Sequence, residues 1–191
     1  SAGTCMYILA NNITLDCKGF EINYSQSVVG YGVNITRYNY SMIRSCSIEQ
    51  ADIASDNSRA FGIYIYLNSS NNVVFNNTIA TVGTFSYGVY FLQETYNNSV
   101  YGNIIKTTNS NGYGVVLDTT AYNNSVYSNN ITTSGSIGIG MYLFSAYNNF
   151  VYNNNITTSN TDGYGMRVSD NAYNNNVYNN IITTSGSSGY G

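Results

Sequence analysis

The chain has 191 residues and a formal net charge of −3, and only 8% of its residues are charged, against about 25% in an average globular protein. Its six Lys and Arg residues are too few for the basic clusters that bind nucleic acid. The absence of His excludes a Ser-His-Asp triad and a His-ligated metal site. No apolar run approaches the roughly 20 residues of a membrane-spanning helix. We therefore expect no nucleic-acid partner, no membrane span, no metal and no cofactor.

A repeat organises the sequence from its first residues onward. The stretch 8–22, ILANNITLDCKGFEI, is a degenerate first copy. A triplet of an aromatic residue or Ile, then Gly, then an aliphatic residue begins at 31, 61, 87, 113, 139 and 164, and it starts again at 190. The motif YNNxVYxNxI recurs at 96–105, 122–131, 147–156 and 173–182. We interpret 1–191 as one solenoid cut from a longer or polymerising chain, with degenerate Cys-containing coils in 1–60 and regular repeats in 61–191.

One unit, residues 113–138, contains three short strands. Residues 113–117 alternate with the period of a strand, 125–127 form a second strand and 130–133 form a third. Because one unit cannot bury its own apolar face, the units must stack in register. The sequence predicts an all-β fold, a parallel β-helix with three-stranded coils, of about seven coils of about 26 residues each. The usual crossover chirality of parallel strands makes it right-handed.

Stacking aligns similar residues into columns along the axis. In the first strand we expect an inward column of Tyr31, Phe61, Tyr87, Tyr113, Ile139 and Tyr164. A second column contains Asn77, Asn103, Asn129, Asn154 and Asn180, with Cys46 in the matching place above them. We expect these asparagines to adopt the left-handed conformation of a tight corner and to hydrogen-bond from coil to coil.

These motifs resemble those of the right-handed parallel β-helix repeat proteins. The pattern N-x-[IV]-x-x-N-x-I after G-[IV]-x-[LIV], and the opening ANNITLDCKGFEI, are similar to the NosD-like, carbohydrate-associated repeats and pectate-lyase-like solenoids of prokaryotic cell surfaces. The resemblance covers essentially the whole chain and implies the fold. It leaves the activity open, because the family includes polysaccharide lyases, hydrolases, adhesins and inert scaffolds. No catalytic motif of those enzymes matches a position here.

All three cysteines lie in the first two coils. Cys17 and Cys46 align within one position on adjacent coils, at a spacing that a disulfide can bridge. Cys5 precedes the first strand and either stays free or pairs with a residue outside this segment. Oxidised cysteines together with glycosylation sequons favour an extracellular or cell-surface location.

Ten Asn-x-Ser/Thr sequons occur, slightly more than the composition predicts. Positions on turns are the better glycan acceptors, so we rank Asn97 and Asn123 first and Asn68 and Asn39 next. The remaining candidates are Asn34, Asn23, Asn12, Asn76, Asn130 and Asn155.

Three sets of outward side chains are candidates for contacts. An aromatic stripe suits sugar stacking or docking of another chain, unless the rings simply stack on one another. Acidic residues after the first strand form either a weak cation- or sugar-binding patch or solvated turns. A threonine column would suit ice binding, but Ala80 and Lys106 interrupt it. The stripe is Phe75, Tyr101, Tyr127, Tyr152 and Tyr178, the acidic residues are Glu94, Asp118 and Asp170, and the threonines are Thr132, Thr157 and Thr183.

These features favour a structural role. We predict an extracellular β-helix scaffold, a glycosylated filament subunit that assembles head to tail, with further copies of itself and glycans as partners. The alternative is a carbohydrate-binding or polysaccharide-degrading β-helix, which a groove with clustered charge would favour. We predict no enzymatic activity and no catalytic residues, because acids, bases and nucleophiles are scarce in the sequence.

Overall fold

The chain folds into a parallel β-solenoid of seven coils, as the repeats predict. The computed structural model describes residues 3–26, 28–51, 59–159 and 161–191. Each coil contributes one strand to each of three seven-stranded parallel sheets, which we call A, B and C. The spacing of about 26 residues per coil is set by the repeat in the sequence.

The three sheets have the following strands. Sheet A contains β1 (Met6–Ile8), β4 (Tyr31–Thr36), β7 (Phe61–Tyr66), β10 (Tyr87–Leu92), β13 (Tyr113–Asp118), β16 (Ile139–Phe144) and β19 (Tyr164–Ser169). Sheet B contains β2 (Thr14–Asp16), β5 (Met42–Arg44), β8 (Val73–Phe75), β11 (Ser99–Tyr101), β14 (Ser125–Tyr127), β17 (Phe150–Tyr152) and β20 (Asn176–Tyr178). Sheet C contains β3 (Glu21–Tyr24), β6 (Ser47–Gln50), β9 (Thr78–Thr81), β12 (Ile104–Thr107), β15 (Asn130–Thr133), β18 (Asn155–Thr158) and β21 (Ile181–Thr184).

The register places similar residues above one another in a single core. Val100 pairs with Val126 in sheet B, and Ile105 pairs with Ile131 in sheet C. All four side chains are fully buried. Burial of each such side chain stabilises the fold by about 1.5–3 kcal/mol before its lost conformational entropy is counted. The core therefore runs continuously along the axis.

The first strand breaks its alternation, and our prediction of an inward aromatic column is wrong. Gly88 faces the interior, where a Cβ atom would lie 2.3 Å from Cγ2 of Ile105 and 2.6 Å from the carbonyl oxygen of Gly114. The ring of Tyr87 lies instead on the outer face, with its centroid 5.2 Å from that of Tyr90. A glycine occupies the same inward place after each of the other column members, Tyr31, Phe61, Tyr113, Ile139 and Tyr164.

The predicted asparagine ladder lies at the corner between sheets B and C. The side-chain amide nitrogen of Asn103 donates to Oδ1 of Asn129 at 3.0 Å and to the carbonyl oxygen of Val74 at 3.0 Å. The left-handed conformation, however, belongs to the residue before each ladder asparagine, so that part of our prediction is wrong. These preceding residues, with φ between 54° and 63°, are Asn76, Gly102, Ser128, Asn153 and Asn179, and Ser45 before Cys46 has the same conformation.

A second asparagine ladder, which we did not predict, lies at the corner between sheets A and B. It is formed by the second Asn of each YNN motif and of the equivalent triplet Ser70-Asn71-Asn72, and its side-chain amides are 3.0–3.2 Å apart. The repeated Asn pair in the sequence was the available signal. The ladder consists of Asn72, Asn98, Asn124, Asn149 and Asn175.

In the first two coils a disulfide occupies the corner between sheets B and C, where asparagines form the first ladder in the later coils. Cys17 and Cys46 are joined, with their Cα atoms 4.8 Å apart. The backbone N–H of Cys46 donates to Oδ1 of Asn77 at 3.0 Å, so Cys46 terminates the ladder. Cys5 is a free, exposed thiol.

Candidate functional site

The outer surface of sheet A carries an aromatic face. It is made by the first-strand aromatic column, which points outward, and by the tyrosines beside it. Tyr31 stacks on Phe61, Phe61 on Tyr87 and Tyr87 on Tyr113, with ring centroids 4.8–5.3 Å apart. A neighbouring residue, Tyr64, tilts against Tyr31 by 46°. The glycines between each aromatic and aliphatic residue were the signal for this outward column in the sequence, since a glycine can occupy the crowded inward place.

A cleft of about 530 Å³ lies over coils two to four, beside the outward-facing Tyr64 and Tyr90. Strands β4, β7 and β10 form its floor, and two residues from the turns that precede β7 and β10 form its rim. The lining residues are Tyr31, Arg59, Phe61, Tyr64, Phe85, Tyr87, Tyr90 and Leu92. The cleft thus combines an aromatic floor with a single cation.

The two rim residues occupy equivalent corners of consecutive coils. Arg59 and Phe85 both have left-handed backbone conformations, with φ of 68° and 53°. The same corner holds Asn111 and Ile137 in the next two coils, with φ of 52° and 55°. Phe85 is 41% exposed, so one ring at the rim is open to a ligand.

The tyrosine hydroxyls of the cleft remain protonated donors. The hydroxyl of Tyr90 donates a 2.6 Å hydrogen bond to Oδ2 of Asp118. Burial is the larger cause and this hydrogen bond the next, and together they raise the pKa of Tyr90 well above its usual value. Burial also raises the pKa of Tyr64 and of Tyr87. These groups are therefore neutral at physiological pH. Tyr64 and Tyr87 can donate hydrogen bonds to a ligand, whereas the hydroxyl of Tyr90, which donates to Asp118, can only accept one.

The acidic residues that follow the first strand have different hydrogen-bond partners. Asp118 pairs in register with Leu92, whereas the N–H of Glu94 bonds to the hydroxyl oxygen of Thr120 in the next coil. Asp170 accepts a hydrogen bond from its neighbour Ser169.

Arg167 lies at the far end of the aromatic face. Its guanidinium carbon is 5.4 Å from the ring centroid of Tyr142 and 5.8 Å from that of Tyr164. This cation–π arrangement places a positive charge over the aromatic surface of the last coils.

The predicted aromatic stripe lies on the outer face of sheet B and forms an uninterrupted stack. Its ring centroids are 4.8–5.2 Å apart and its ring planes differ by at most 10°. The faces of the inner rings are therefore covered by their neighbours, and their edges and hydroxyls point to solvent. We call Phe75, Tyr101, Tyr127, Tyr152 and Tyr178 the strand stack.

A second stack lies at the corner before sheet B, with centroids 5.0–5.2 Å apart and planes within 11° of each other. We call its members, Tyr96, Tyr122, Tyr147 and Tyr173, the corner stack. The rings of both stacks pack on one another. For the strand stack this is the second of the two alternatives that the sequence left open, and the inner rings do not present their faces to a sugar.

The glycosylation candidates differ in accessibility. Asn97 and Asn123 are exposed at left-handed corners. Asn39 is half-buried, and its Oδ1 accepts hydrogen bonds from the N–H and hydroxyl of Ser70. Asn34 is half-buried, and its Oδ1 accepts one from the hydroxyl of Thr36. The other candidates are exposed, namely Asn12, Asn23, Asn68, Asn76, Asn130 and Asn155.

The outward threonine column of sheet C is short, since Thr132, Thr157 and Thr183 pair in register but Lys106 and Ala80 occupy the same place in the preceding coils. Thr132 and Thr157 face outward and are half-buried, whereas the second residue of each pair, Thr133 or Thr158, is buried inside.

Among the described residues, no three cysteine or carboxylate side chains converge as metal ligands do. The described part of the chain has no helix long and apolar enough to cross a membrane.

A family model and a solved structure support the fold. The family model for the right-handed β-helix region matches residues 2–139. A double mutant of the periplasmic alginate epimerase AlgG is structurally similar, with a TM-score of 0.64 and 14% identity over 91% of this chain and 42% of that one. This chain thus spans less than half of the epimerase. The alginate lyase from Paenibacillus sp. str. FPU-7 aligns with a TM-score of 0.34 and 11% identity, over 97% and 92% of the two chains. The comparison with curated proteins gives no match.

Proposed function

Because the chain belongs to the right-handed β-helix family, we propose that it is a carbohydrate-binding β-helix that holds a glycan in the cleft of sheet A. The observation that carries this proposal is the cleft of about 530 Å³ with an aromatic floor and the open ring of Phe85 at its rim. Sugar rings present C–H groups on their faces, which pack against aromatic rings, while their hydroxyls need hydrogen-bond partners.

The polar groups of the cleft fit this ligand class. Tyr64, Tyr87 and Tyr90 stay protonated because their pKa values are raised by burial. Their hydroxyls can therefore exchange hydrogen bonds with neutral sugar hydroxyls. Arg59 adds five donors at the rim, so it can bind either a hydroxyl pair or a sugar acid group.

The function proposed is binding without catalysis. A general base needs a pKa close to the working pH. Burial raises the pKa values of Tyr64, Tyr87 and Tyr90 further from neutrality, which does not suit these cleft tyrosines as general bases. Asp118, the carboxylate nearest the cleft tyrosines, accepts the hydrogen bond of Tyr90 rather than facing an open subsite.

We place the protein outside the cytoplasm. The Cys17–Cys46 pair is joined in the structure, and structural disulfides persist in oxidising compartments. Asn97 and Asn123 are exposed and stand on turns, so they are the first candidates for glycan attachment.

A second candidate function is that of a structural scaffold which assembles with copies of itself. The two asparagine ladders and two aromatic stacks support it, because they tie the third to the seventh coil together along one axis. Light scattering over a range of concentrations tests assembly, and a species of 20.9 kDa at every concentration would contradict it.

A matched pair of variants tests glycan binding. Phe85→Asn removes the open ring but keeps a residue that already occupies this left-handed corner at Asn111. Ile137→Asn makes the same change two coils away from the cleft. Affinity electrophoresis against neutral and acidic linear polysaccharides measures binding. We expect Phe85→Asn to weaken it about tenfold, or about 1.4 kcal/mol, and Ile137→Asn to leave it unchanged. The proposal is wrong if the parent binds no polysaccharide or if both variants bind like the parent.

A further inference from the structure

The aromatic stacks on and beside sheet B bring phenol rings of successive coils into repeated contact. Tyr127 and Tyr152 have centroids 4.9 Å apart and planes within 2° of each other. Tyr152 and Tyr178 have centroids 5.0 Å apart and planes within 1°. Because these tyrosines are paired in register and their ring planes are parallel, the phenol rings of neighbouring coils lie close enough to couple after a tilt of the side chains.

We propose that the strand stack and the corner stack are sites of oxidative dityrosine cross-linking between successive coils. The oxidant is hydrogen peroxide, used by a haem peroxidase acting at the protein surface. The pairs assigned are Tyr101–Tyr127, Tyr127–Tyr152 and Tyr152–Tyr178 in the strand stack, and Tyr96–Tyr122, Tyr122–Tyr147 and Tyr147–Tyr173 in the corner stack.

Each cross-link consumes one molecule of hydrogen peroxide. Each of two tyrosines loses one electron and one proton from its phenol and becomes a phenoxyl radical. The two radicals couple through their ortho carbons, which forms one C–C bond. The two ortho hydrogens then move to the oxygens and restore both phenols. Hydrogen peroxide takes up the two electrons and two protons and becomes two molecules of water.

Access and backbone geometry favour these pairs over others. The inner rings of both stacks are half-buried, and the last members, Tyr178 and Tyr173, are 41% and 54% exposed. An oxidant therefore reaches their outer edges. Parallel pairing of β14 with β17 holds Tyr127 and Tyr152 in direct register. Coupling then requires the two rings to tilt toward each other at their outer edges, a side-chain motion that half-exposed residues make rapidly.

The columns on sheet A lack this continuity. Phe61 separates Tyr31 from Tyr87, and Ile139 separates Tyr113 from Tyr164, so neither side of these two residues can form a cross-link. Tyr90 meets Tyr87 edge to face at 89°, and its hydroxyl is bonded to Asp118. Runs of three consecutive cross-links are thus assigned only to the two stacks within the described part of the chain.

The test is to treat the dilute, folded chain with hydrogen peroxide and a haem peroxidase. Intact-mass measurement should show the loss of two hydrogen atoms per cross-link, and peptide mapping should join the assigned pairs within one chain. The same treatment in denaturant is the control for pairing that the fold does not direct. The proposal is overturned if the folded chain forms no dityrosine, forms it only between chains, or gives the pairs found in denaturant.

Tyr127→Phe supplies a specific control. Phe75 already occupies this column, so the variant should fold, which circular dichroism checks. It should lose both cross-links at position 127 while it keeps Tyr152–Tyr178 and the three corner pairs. Unchanged cross-link yield in this variant would also overturn the proposal, because the cross-links would then form between other tyrosines.

Discussion

The hydroxyl of Tyr90 on β10 donates a 2.6 Å hydrogen bond to the carboxylate of Asp118 on β13. This bond connects two adjacent coils across the outer face of sheet A. It holds the ring of Tyr90 as one wall of the cleft. A charge-assisted bond of this kind is short and roughly twice as strong as a neutral one.

Stability should fall as the pH rises above about 10, the ordinary pKa of tyrosine. The pKa values of Tyr64, Tyr87 and Tyr90 are raised in the folded chain, chiefly by burial. Above about pH 10 the unfolded chain loses these protons while the folded chain keeps them, which favours unfolding. Urea unfolding at about pH 8 and about pH 11 measures the effect.

The Phe variants of these three tyrosines are the controls for that pH dependence. Each should have a flatter stability profile above about pH 10 than the parent, because the group that links protonation to folding is gone. A parent whose unfolding free energy is the same at both pH values would contradict the expectation.

Removal of a hydroxyl should have opposite effects at two tyrosines. Tyr24 is fully buried, and its hydroxyl has no hydrogen-bond partner among the described residues. Tyr24→Phe should therefore leave stability unchanged or raise it by up to about 1 kcal/mol, whereas Tyr90→Phe should lower it by about 1 kcal/mol. Chemical denaturation at neutral pH compares the two variants. Equal losses in both would show that the Tyr24 hydroxyl is bonded.

The repeat period and the β-branched columns were sufficient to predict the coils and their register. Val126 and Ile131 fall into inward columns because each recurs at one position of every unit. The Asn129 ladder was predictable for the same reason, since an amide bonds to its own copy in the next coil. These features depend only on the sequence spacing.

The orientation of the Tyr87 column was not predictable from period two. Its direction depends on a contact between sheets, where the γ-methyl of Ile105 occupies the space beside Gly88. The cleft depends in turn on the left-handed corners at Arg59 and Phe85, which decide where these side chains lie. The position of Asp118 depends on a register that pairs it with Leu92. The alternation of residues along a single strand gives no information about these contacts between sheets and coils.

Gly88→Ala should be among the most destabilising single changes in the chain. Its Cβ would lie 2.3 Å from Cγ2 of Ile105 and 2.6 Å from the oxygen of Gly114, so backbone must move. We expect a loss of about 3 kcal/mol or more. Gly102→Asn is the control, because Gly102 has φ of 63° in open space and Asn76 occupies the equivalent corner. It should change stability by no more than about 0.5 kcal/mol.

Thermal and chemical unfolding of the two glycine variants give the comparison. The inward assignment of Gly88 would be refuted if Gly88→Ala were as stable as Gly102→Asn, since a methyl group at an outward position meets only solvent.

Asn129→Asp should break the first ladder without a change of shape. The amide nitrogen of Asn129 donates to Oδ1 of Asn154 and to the carbonyl oxygens of Val100 and Tyr127, each at 3.0 Å. A carboxylate there places a negative charge against three acceptors, and we expect a loss of about 3 kcal/mol or more at neutral pH. The neighbouring variant Asn130→Asp, at an exposed outward position, should cost less than about 0.5 kcal/mol.

The pH dependence separates the loss of the ladder from a general effect of charge. Burial and the three facing oxygens raise the pKa of the introduced carboxyl in the folded chain. The penalty should therefore shrink as the pH falls from about 7 toward about 4, the ordinary pKa of aspartate, because the protonated carboxyl regains one donor. Urea unfolding of Asn129→Asp relative to Asn130→Asp at both pH values measures this recovery. If the difference between the two variants is the same at both pH values, the side chain of residue 129 does not face the acceptors of the ladder.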